Sequence, residues 1–400
     1  MTYQTAGESH GPALTAIVSG LPAGLDVSLA EINAMLARRQ QGHGRGGRMK
    51  IETDTVDITA GVRHGKTLGS PVALMVRNAD WKNWGDRMAI EPLTAARRAR
   101  LRKDKLGAAV TQPRPGHVDL AGILKWDHSD VRNVLERASA RATATQVAVG
   151  AICKQLLREF GIEVLSHMVQ LGDIHADCHG LTYAQIMSRA LRDADFHCAD
   201  PRVRDRMFKA VDAARRRGDT LGGVNEVIAV GAPPGLGSCM NWSDRLDARL
   251  AGALMGVQAM KGVEIGMGFE TARRLGSEVH DEILPRRRRS PLDIAYDRNR
   301  NNAGGLEGGI TNGQPIVVRV AQKPISTLMR PLCSVDIKTH QAVKAVRERS
   351  DTTAVPAGGV ICEAVVAIVL AQAFLEKFGG DSMREIRRNH LGYLRQIARR

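Results

Sequence analysis

Residues 7–11 read GESHG, a match to the G-x-S-x-G pattern in which a sharp strand-to-helix turn exposes a nucleophilic serine. The same stretch holds His10, whose side chain titrates near neutrality and can give or take a proton at pH 7. The flanks do not suit a serine elbow. Mostly polar residues precede Gly7, and the run ALTAIVS that follows reads as strand, so neither the leading strand nor the departing helix is in place. Ser9 is then a turn residue or an anion contact. His10, taken alone, reads as a hydrogen-bonded turn histidine.

Arginines give the stretch a context. Arg38, Arg39, Arg45 and Arg48 flank a glycine loop in RRQQGHGRGGR, Arg114 lies beside His117 in QPRPGH, Arg137 and Arg141 sit in RASAR, and Arg349 adjoins Asp351 in RSD. These positions fall in Gly-, Pro- and Ser-rich turns rather than on polar helix faces. Guanidinium forks bind phosphate and carboxylate bidentately, and glycine-loop N–H groups add donors. The pattern points to a small substrate with one phosphate and one or two carboxylates.

Three other patterns lack their settings. GHGRGG at 42–47 matches G-x-G-x-x-G, but a helix precedes it and a strand follows, the reverse of a dinucleotide fold. GVRHGKT at 61–67 has one residue too few between its glycines for a phosphate loop, and no helix follows. His175, Cys178, His179, His197 and Cys198 are zinc-ligand types, but their spacing fits no standard finger, so no metal is expected.

The elements that must position these residues follow from periodicity and caps. ALTAIVS is a buried strand. Ser28 and Glu31 frame a capping box for SLAEINAMLARRQ. Alternation from Met49 to Val62 predicts a half-buried strand, with GSPVALMVR as its partner. Residues 85–110 read as charged helix, 130–160 as one long small-residue helix ending at Gly161, and 163–171 as strand. Two helices over 182–218 come next, then a strand over 219–231, a second long helix over 243–262, and a charged loop without periodicity over 283–303. A strand over 313–323, a third long apolar helix over 357–378 and a basic amphipathic helix over 382–399 complete the chain. VRNVLERAS at 131–139 is echoed by VKAVRERSD at 343–351, which would place Arg137 and Arg349 in equivalent positions of two similar halves.

The chain has 400 residues, 43% of them apolar and 25% charged, which predicts a packed core. Aromatics are 4% and glycines number 41, so that core must close through backbone approach more than through rings. No linker tract divides it, and one domain over 1–400 is expected. A net charge of +15 calls for an anionic partner. The six cysteines are scattered, which suits reduced thiols. With no leader pattern and no membrane-length apolar run, the expectation is a cytoplasmic protein without a membrane role.

At these residues the sequence resembles the chorismate synthase family. The resemblance rests on GESHG, RRQQGHGRGGRM, RPGHVDLAG, ERASAR, GVQAMKGVEIG, NNAGGLEGGITNGQP, KPIST and RSDTTAVPA, which span almost the whole chain in order. It implies an α+β fold with long helices sandwiched between antiparallel sheets, and a homotetramer. It implies a carbon–oxygen lyase of the shikimate pathway to the aromatic amino acids, which converts 5-enolpyruvylshikimate 3-phosphate to chorismate and phosphate by anti-1,4-elimination and requires reduced FMN. Carried onto this chain, His10, His117 and Asp351 would be catalytic. Ser9, Arg39, Arg45, Arg48, Arg114, Arg137 and Ser139 would hold the substrate. Arg137, Ala138, Ser139, Gln258, Ala259, Gly308, Lys323, Pro324, Ile325, Ser326, Thr327 and Arg349 would hold FMN. Arg39 and Arg45 also match positions the family assigns to NADP. Whether NADPH acts on the chain itself or a separate flavin reductase supplies the reduced flavin is left open by the resemblance. Ala142 departs from the family's usual Glu after ERASAR, and Arg286–Arg289 fall where members vary.

Two other classes fit parts of the pattern. The charge would suit a nucleic-acid binder, but the arginines cluster in glycine loops with little aromatic interleaving for base stacking, so no nucleic acid is expected. A phosphohydrolase using Ser9 would need no reductant.

Overall fold

The computed structural model describes residues 1–46, 53–104, 108–288, 290–347 and 350–400. Arg48, Arg349 and Arg289 lie outside the described residues. One sheet consists of β1 (Thr2–Ala6), β2 (Ala13–Ser19), β3 (Val56–Ala60) and β6 (Val72–Arg77), in the order β1-β2-β6-β3 and antiparallel throughout. The short pair β4 (Val62–Arg63) and β5 (Lys66–Thr67) joins β3 to β6. The second sheet consists of β7 (Glu163–Leu171), β8 (Ile174–His175), β9 (Gly223–Val230), β10 (Met260–Ile265) and β15 (Ile316–Gln322). Its order is β10-β15-β9-β7-β8, again antiparallel. Hairpins β11/β12 (Ile283–Pro285, Tyr296–Arg298), β13/β14 (Leu306–Glu307, Ile310–Thr311) and β16/β17 (Cys333–Val335, Ala342–Lys344) stand apart.

Between the sheets lie α1 (Leu29–Gln40), α6 (Thr143–Arg158), α9 (Leu246–Met255) and α11 (Val355–Phe378). Helix α6 rests on β1, β2 and β6, while α11 rests on β7, β9 and β15, and the two helices pack on each other. The result is the expected α+β sandwich of sheet, helices, helices and sheet. Strand alternation explains the faces: Leu14, Ala16 and Val18 point inward from β2, and Ile316, Val318 and Val320 from β15. In α1, Ile32, Met35 and Leu36 fall on one face, and Ser28 accepts the Glu31 N–H at the start.

Small residues make the central contact. A Cβ on Gly150 of α6 would lie 2.4 Å from the Cβ of Ala364 on α11, so the backbones touch. On the other side of α11, a Cβ on Gly359 would lie 2.7 Å from Asn225 Oδ1 of β9. With so few aromatics this close approach replaces bulk, and it maximises dispersion contacts. Helix α11 is long and apolar enough to cross a membrane, contrary to the expectation from the sequence. It is instead the buried axis of the core, with the carboxylate of Glu363 at its middle held by Arg38, Lys154 and Ser166. One apolar cluster runs from Leu14 to Ile386 through both halves.

Several expected elements differ. The long helix over 130–160 is two helices, α5 (Arg132–Ala138) and α6, because Ser139 is extended and its hydroxyl caps a short 3-10 turn at Ala140–Ala142. The helix over 243–262 stops at Met255, and β10 takes Met260 onward for pairing with β15. The 283–303 loop contains the β11/β12 hairpin. Of the 85–110 helix, α3 (Ala95–Lys103) remains, preceded by α2 (Trp81–Trp84). The echoed segments are not alike, since 131–139 is helical and 342–344 is strand. The helices that follow them, α6 and α11, nevertheless form the central pair. The other helices are α4 (Asp119–Trp126), α7 (Tyr183–Arg192), α8 (Arg204–Arg217), α10 (Gly276–Val279) and α12 (Met383–Ala398).

Candidate active site

Ser9 and His10 lie in the turn between β1 and β2, and α5 holds them there. The Ser9 N–H donates to the Glu136 carbonyl at 3.0 Å, and the His10 N–H donates to Glu136 Oε2 at 3.0 Å. The His10 ring places Nδ1 2.8 Å from Glu136 Oε2 and stacks on Trp84, centroid to centroid 3.7 Å. Glu136 is fully buried. Burial alone would raise its carboxyl, but the hydrogen bond and charge of His10 and the charge of Arg132 outweigh that and hold it below the ordinary glutamate value.

Behind this turn sits a cationic cluster. Arg39, at the end of α1, donates to Asp54 at 2.5 Å, and Arg141 reaches the other Asp54 oxygen at 3.3 Å and the Ser9 carbonyl at 2.7 Å. Arg45 pairs with Asp351 at 3.1 Å, and the Gly46 N–H donates to the same carboxylate at 2.6 Å. Burial, with the charges of Arg45 and Arg141, holds Arg39 below the ordinary guanidinium value despite Asp54. Ser9 Oγ and Arg39 Nε are both buried and have no hydrogen-bond partner among the described residues. Buried polar atoms are normally satisfied, and an anion can supply acceptors to both. No histidine reaches Ser9 Oγ among the described residues.

The second histidine belongs to the loop before α4. Asp119, fully buried at the helix start, accepts from His117 Nδ1 and from Arg114 Nε and Nη2 at 2.8 and 3.0 Å. Its carboxyl is held below the ordinary aspartate value: the cost of burial is overcome by hydrogen bonds and charge from His117 and Arg114. Arg114 also donates to Thr327 Oγ1 at 3.0 Å. Lys323 donates to the Gly116 carbonyl, and Gly116 takes a left-handed φ of 75° to make that turn. Pro113 and Thr111 are braced by Ser334 and Asp336 around the β16/β17 hairpin.

Lys323–Thr327 thus lie against the His117 loop, and Lys323 N donates to the carbonyl of Ala259, which adopts an unusual φ of 70°. Beside Ala259, the buried Gln258 Oε1 has no partner among the described residues. The Ile325 carbonyl accepts from Thr220, and Leu221 N donates to the Thr352 carbonyl, which joins this group to Asp351. The two histidine groups share the small core of Ile123, Val131, Val134 and Leu135 between α4 and α5.

Other expected residues sit differently. The Arg137 guanidinium is exposed and donates to the Thr5 and Gly7 carbonyls at 2.9 and 3.1 Å. Ala138 ends α5, and the Ser139 hydroxyl serves as a cap. Gly308, in the β13/β14 turn, lies by Cys239 near the start of α9, whereas Gln258 and Ala259 follow the end of that helix. Pro324 is exposed and Ser326 half-buried. Sequence reading missed the roles of Glu136, Asp119, Trp84 and Asp54, and it named Arg141 among the arginines but assigned it no contact. Glu136 stands four residues after Arg132 and Asp119 two after His117, so both carried a local charge signal. Asp54 and Trp84 meet partners far away in the chain and carried none.

A cavity of about 580 Å³ lies between α2 and α3 on Trp81–Arg87, and its arginines are taken up by Asp86 and Asp104. It is separate from the Ser9–Arg39 cluster.

A family model described as chorismate synthase matches residues 1–375. The chain is 56% identical to the chorismate synthase of Trichlorobacter lovleyi over 396 residues, 98% of each chain. It is 56% identical to that of Symbiobacterium thermophilum over 401 aligned residues, all of both chains. A solved structure titled "Crystal Structure of Chorismate Synthase" superposes with a TM-score of 0.77 at 41% identity, covering 100% of this chain and 98% of that one.

Proposed function

The chain belongs to the chorismate synthase family, and on that premise we propose that it eliminates phosphate from 5-enolpyruvylshikimate 3-phosphate to give chorismate, with reduced FMN as cofactor. The observation that carries this reading is the pair of unsatisfied buried atoms, Ser9 Oγ and Arg39 Nε, beside His10. A site that leaves donors unpaired among arginines is built around a polyanion.

His10 and His117 each turn Nδ1 to a buried carboxylate, which leaves Nε2 as the nitrogen that meets ligands. His117, next to the Arg114 fork, supplies a proton or positive charge to the departing phosphate. Arg39, Arg45, Arg48 and Arg114 hold the phosphate and carboxylates, and Asp351 assists proton removal. The C–O bond to phosphate breaks with its electron pair, a proton leaves C6, and a second ring double bond forms, so the atoms balance without net oxidation.

The residues fit a flavin nucleotide. Ser326, Thr327 and Lys323 supply donors to a phosphate, and the partnerless Gln258 Oε1 accepts from an N–H. Arg137–Ser139 and Arg349 would join that site by the resemblance, as would Pro324 and Ile325 through their backbones, whereas Gly308 stands at the opposite end of α9 from Gln258. Reduced FMN held there would supply electron density to the elimination.

A homotetramer is supported by large exposed apolar side chains on the elements around α9 and β10, among them Met240, Trp242, Phe269 and Leu275. A cytoplasmic location and a single domain over 1–400 belong to the same reading, the latter supported by the continuous core. Reduction of the flavin by NADPH at Arg39 and Arg45 competes for the charge that holds substrate. An anaerobic incubation of the purified chain with 5-enolpyruvylshikimate 3-phosphate and reduced FMN tests the proposal. Chorismate is the expected product, and its absence from a flavin-loaded protein overturns the reading.

A further inference from the structure

We infer that Glu136 is a positioning residue for His10, holding the ring proton on Nδ1 so that Nε2 is presented to the site. This inference rests on the reading above in which His10 is catalytic and meets its ligand through Nε2. The carboxylate meets His10 at the backbone N–H and at Nδ1, and Arg132 donates to it at 3.1 Å from one turn earlier on α5. An ionised carboxylate only accepts hydrogen bonds, so Nδ1 must be the protonated nitrogen. Nε2 has no hydrogen-bond partner among the described residues.

The remaining freedom of the ring is removed from its faces and its backbone. Trp84 covers one face with its plane tilted 23° from the imidazole, and it is itself fixed by a 2.9 Å hydrogen bond to Asp80 and by the cations of Arg87 and Arg132 above its ring. The Ser9 N–H is tied to the Glu136 carbonyl, so the same residue sets both the backbone and the side chain of the turn. Histidine tautomers are commonly fixed in this way by the partner of the other ring nitrogen, and a wrong tautomer is catalytically costly.

Glutamine at position 136 preserves volume but must turn an NH2 toward an existing N–H donor, of His10 or of Arg132. The proposal is tested by Glu136→Gln in two backgrounds under anaerobic turnover with reduced FMN. In the wild type, kcat falls by about 10–100-fold with KM for substrate within about twofold. In a His10→Gln background the same change costs less than about twofold, because the residue acts through His10. Equal losses in both backgrounds, or no loss in either, overturn the inference. Nitrogen-15 NMR of histidine-labelled wild-type protein gives an independent reading that needs no variant. A proton on Nδ1 of His10 is expected, and a ring protonated at Nε2 with Nδ1 bare overturns the inference. If His10→Gln itself leaves turnover unchanged, the functional reading fails along with it. If His10→Gln is costly and Glu136→Gln is not, only the role of Glu136 is lost.

Discussion

Asp119 places one oxygen on Nδ1 of His117 and uses both on the guanidinium of Arg114. One buried carboxylate therefore orients a histidine and neutralises an arginine together. Asp119→Asn leaves the Arg114 charge buried without its counter-ion, which costs on the order of 3–5 kcal/mol. Turnover falls with it, since one amide oxygen replaces the two carboxylate oxygens that His117 and Arg114 share. Urea unfolding and anaerobic turnover check this, and a variant as stable and active as the wild type would remove Asp119 from the account.

The proposed reaction gives the proton chemistry to the histidines. His10→Ala and His117→Ala each lower turnover by about 10–10⁴-fold, while Ser9→Ala costs far less than loss of a nucleophile. Reduced FMN still binds in all of them. A covalent adduct on Ser9, found by mass spectrometry of a quenched reaction, would restore the serine reading of GESHG.

Much of this was legible in the chain. Periodicity located β2, β7, α11 and α12, and the Gly- and Ala-rich runs foretold helices touching through backbone. Ser139 was hidden inside a run that reads as continuous helix, and only its cap shows why α5 and α6 separate. The strand from Met260 is invisible because its partner β15 lies far downstream. The same distance hid Asp54 and Trp84, whose functions exist only once β3 and α2 are brought to Arg39 and His10.

Burial of His197 and the nearby charge of Arg38 push its imidazole down to about 4. Unfolded, it titrates at about 6.5. Between these values the unfolded chain binds a proton that the folded chain refuses. The stabilising contribution is therefore complete above pH 6.5 and is lost as pH falls toward 4, by at most about 1.4 kcal/mol per unit. His197→Asn, which tolerates the left-handed φ of 53° at this site, removes that slope. Urea unfolding at pH 7 and pH 5 reads the difference, and equal pH dependence in the two proteins speaks against it.

Gly150→Ala puts a methyl group 2.4 Å from the Cβ of Ala364 and forces α6 from α11. Overpacking of this kind costs on the order of 1–3 kcal/mol. A thermal melt should show a clear loss in Tm, and an unchanged melt would mean the two helices do not meet at this point.

The central claim is that the anion site beside His10 and His117 expels phosphate only with a reduced flavin in place. Phosphate release from 5-enolpyruvylshikimate 3-phosphate, measured anaerobically with reduced FMN, with oxidised FMN and without flavin, tests it most directly. Release matched by chorismate in the first condition alone is the predicted result. Equal release in all three would contradict it and leave a phosphohydrolase.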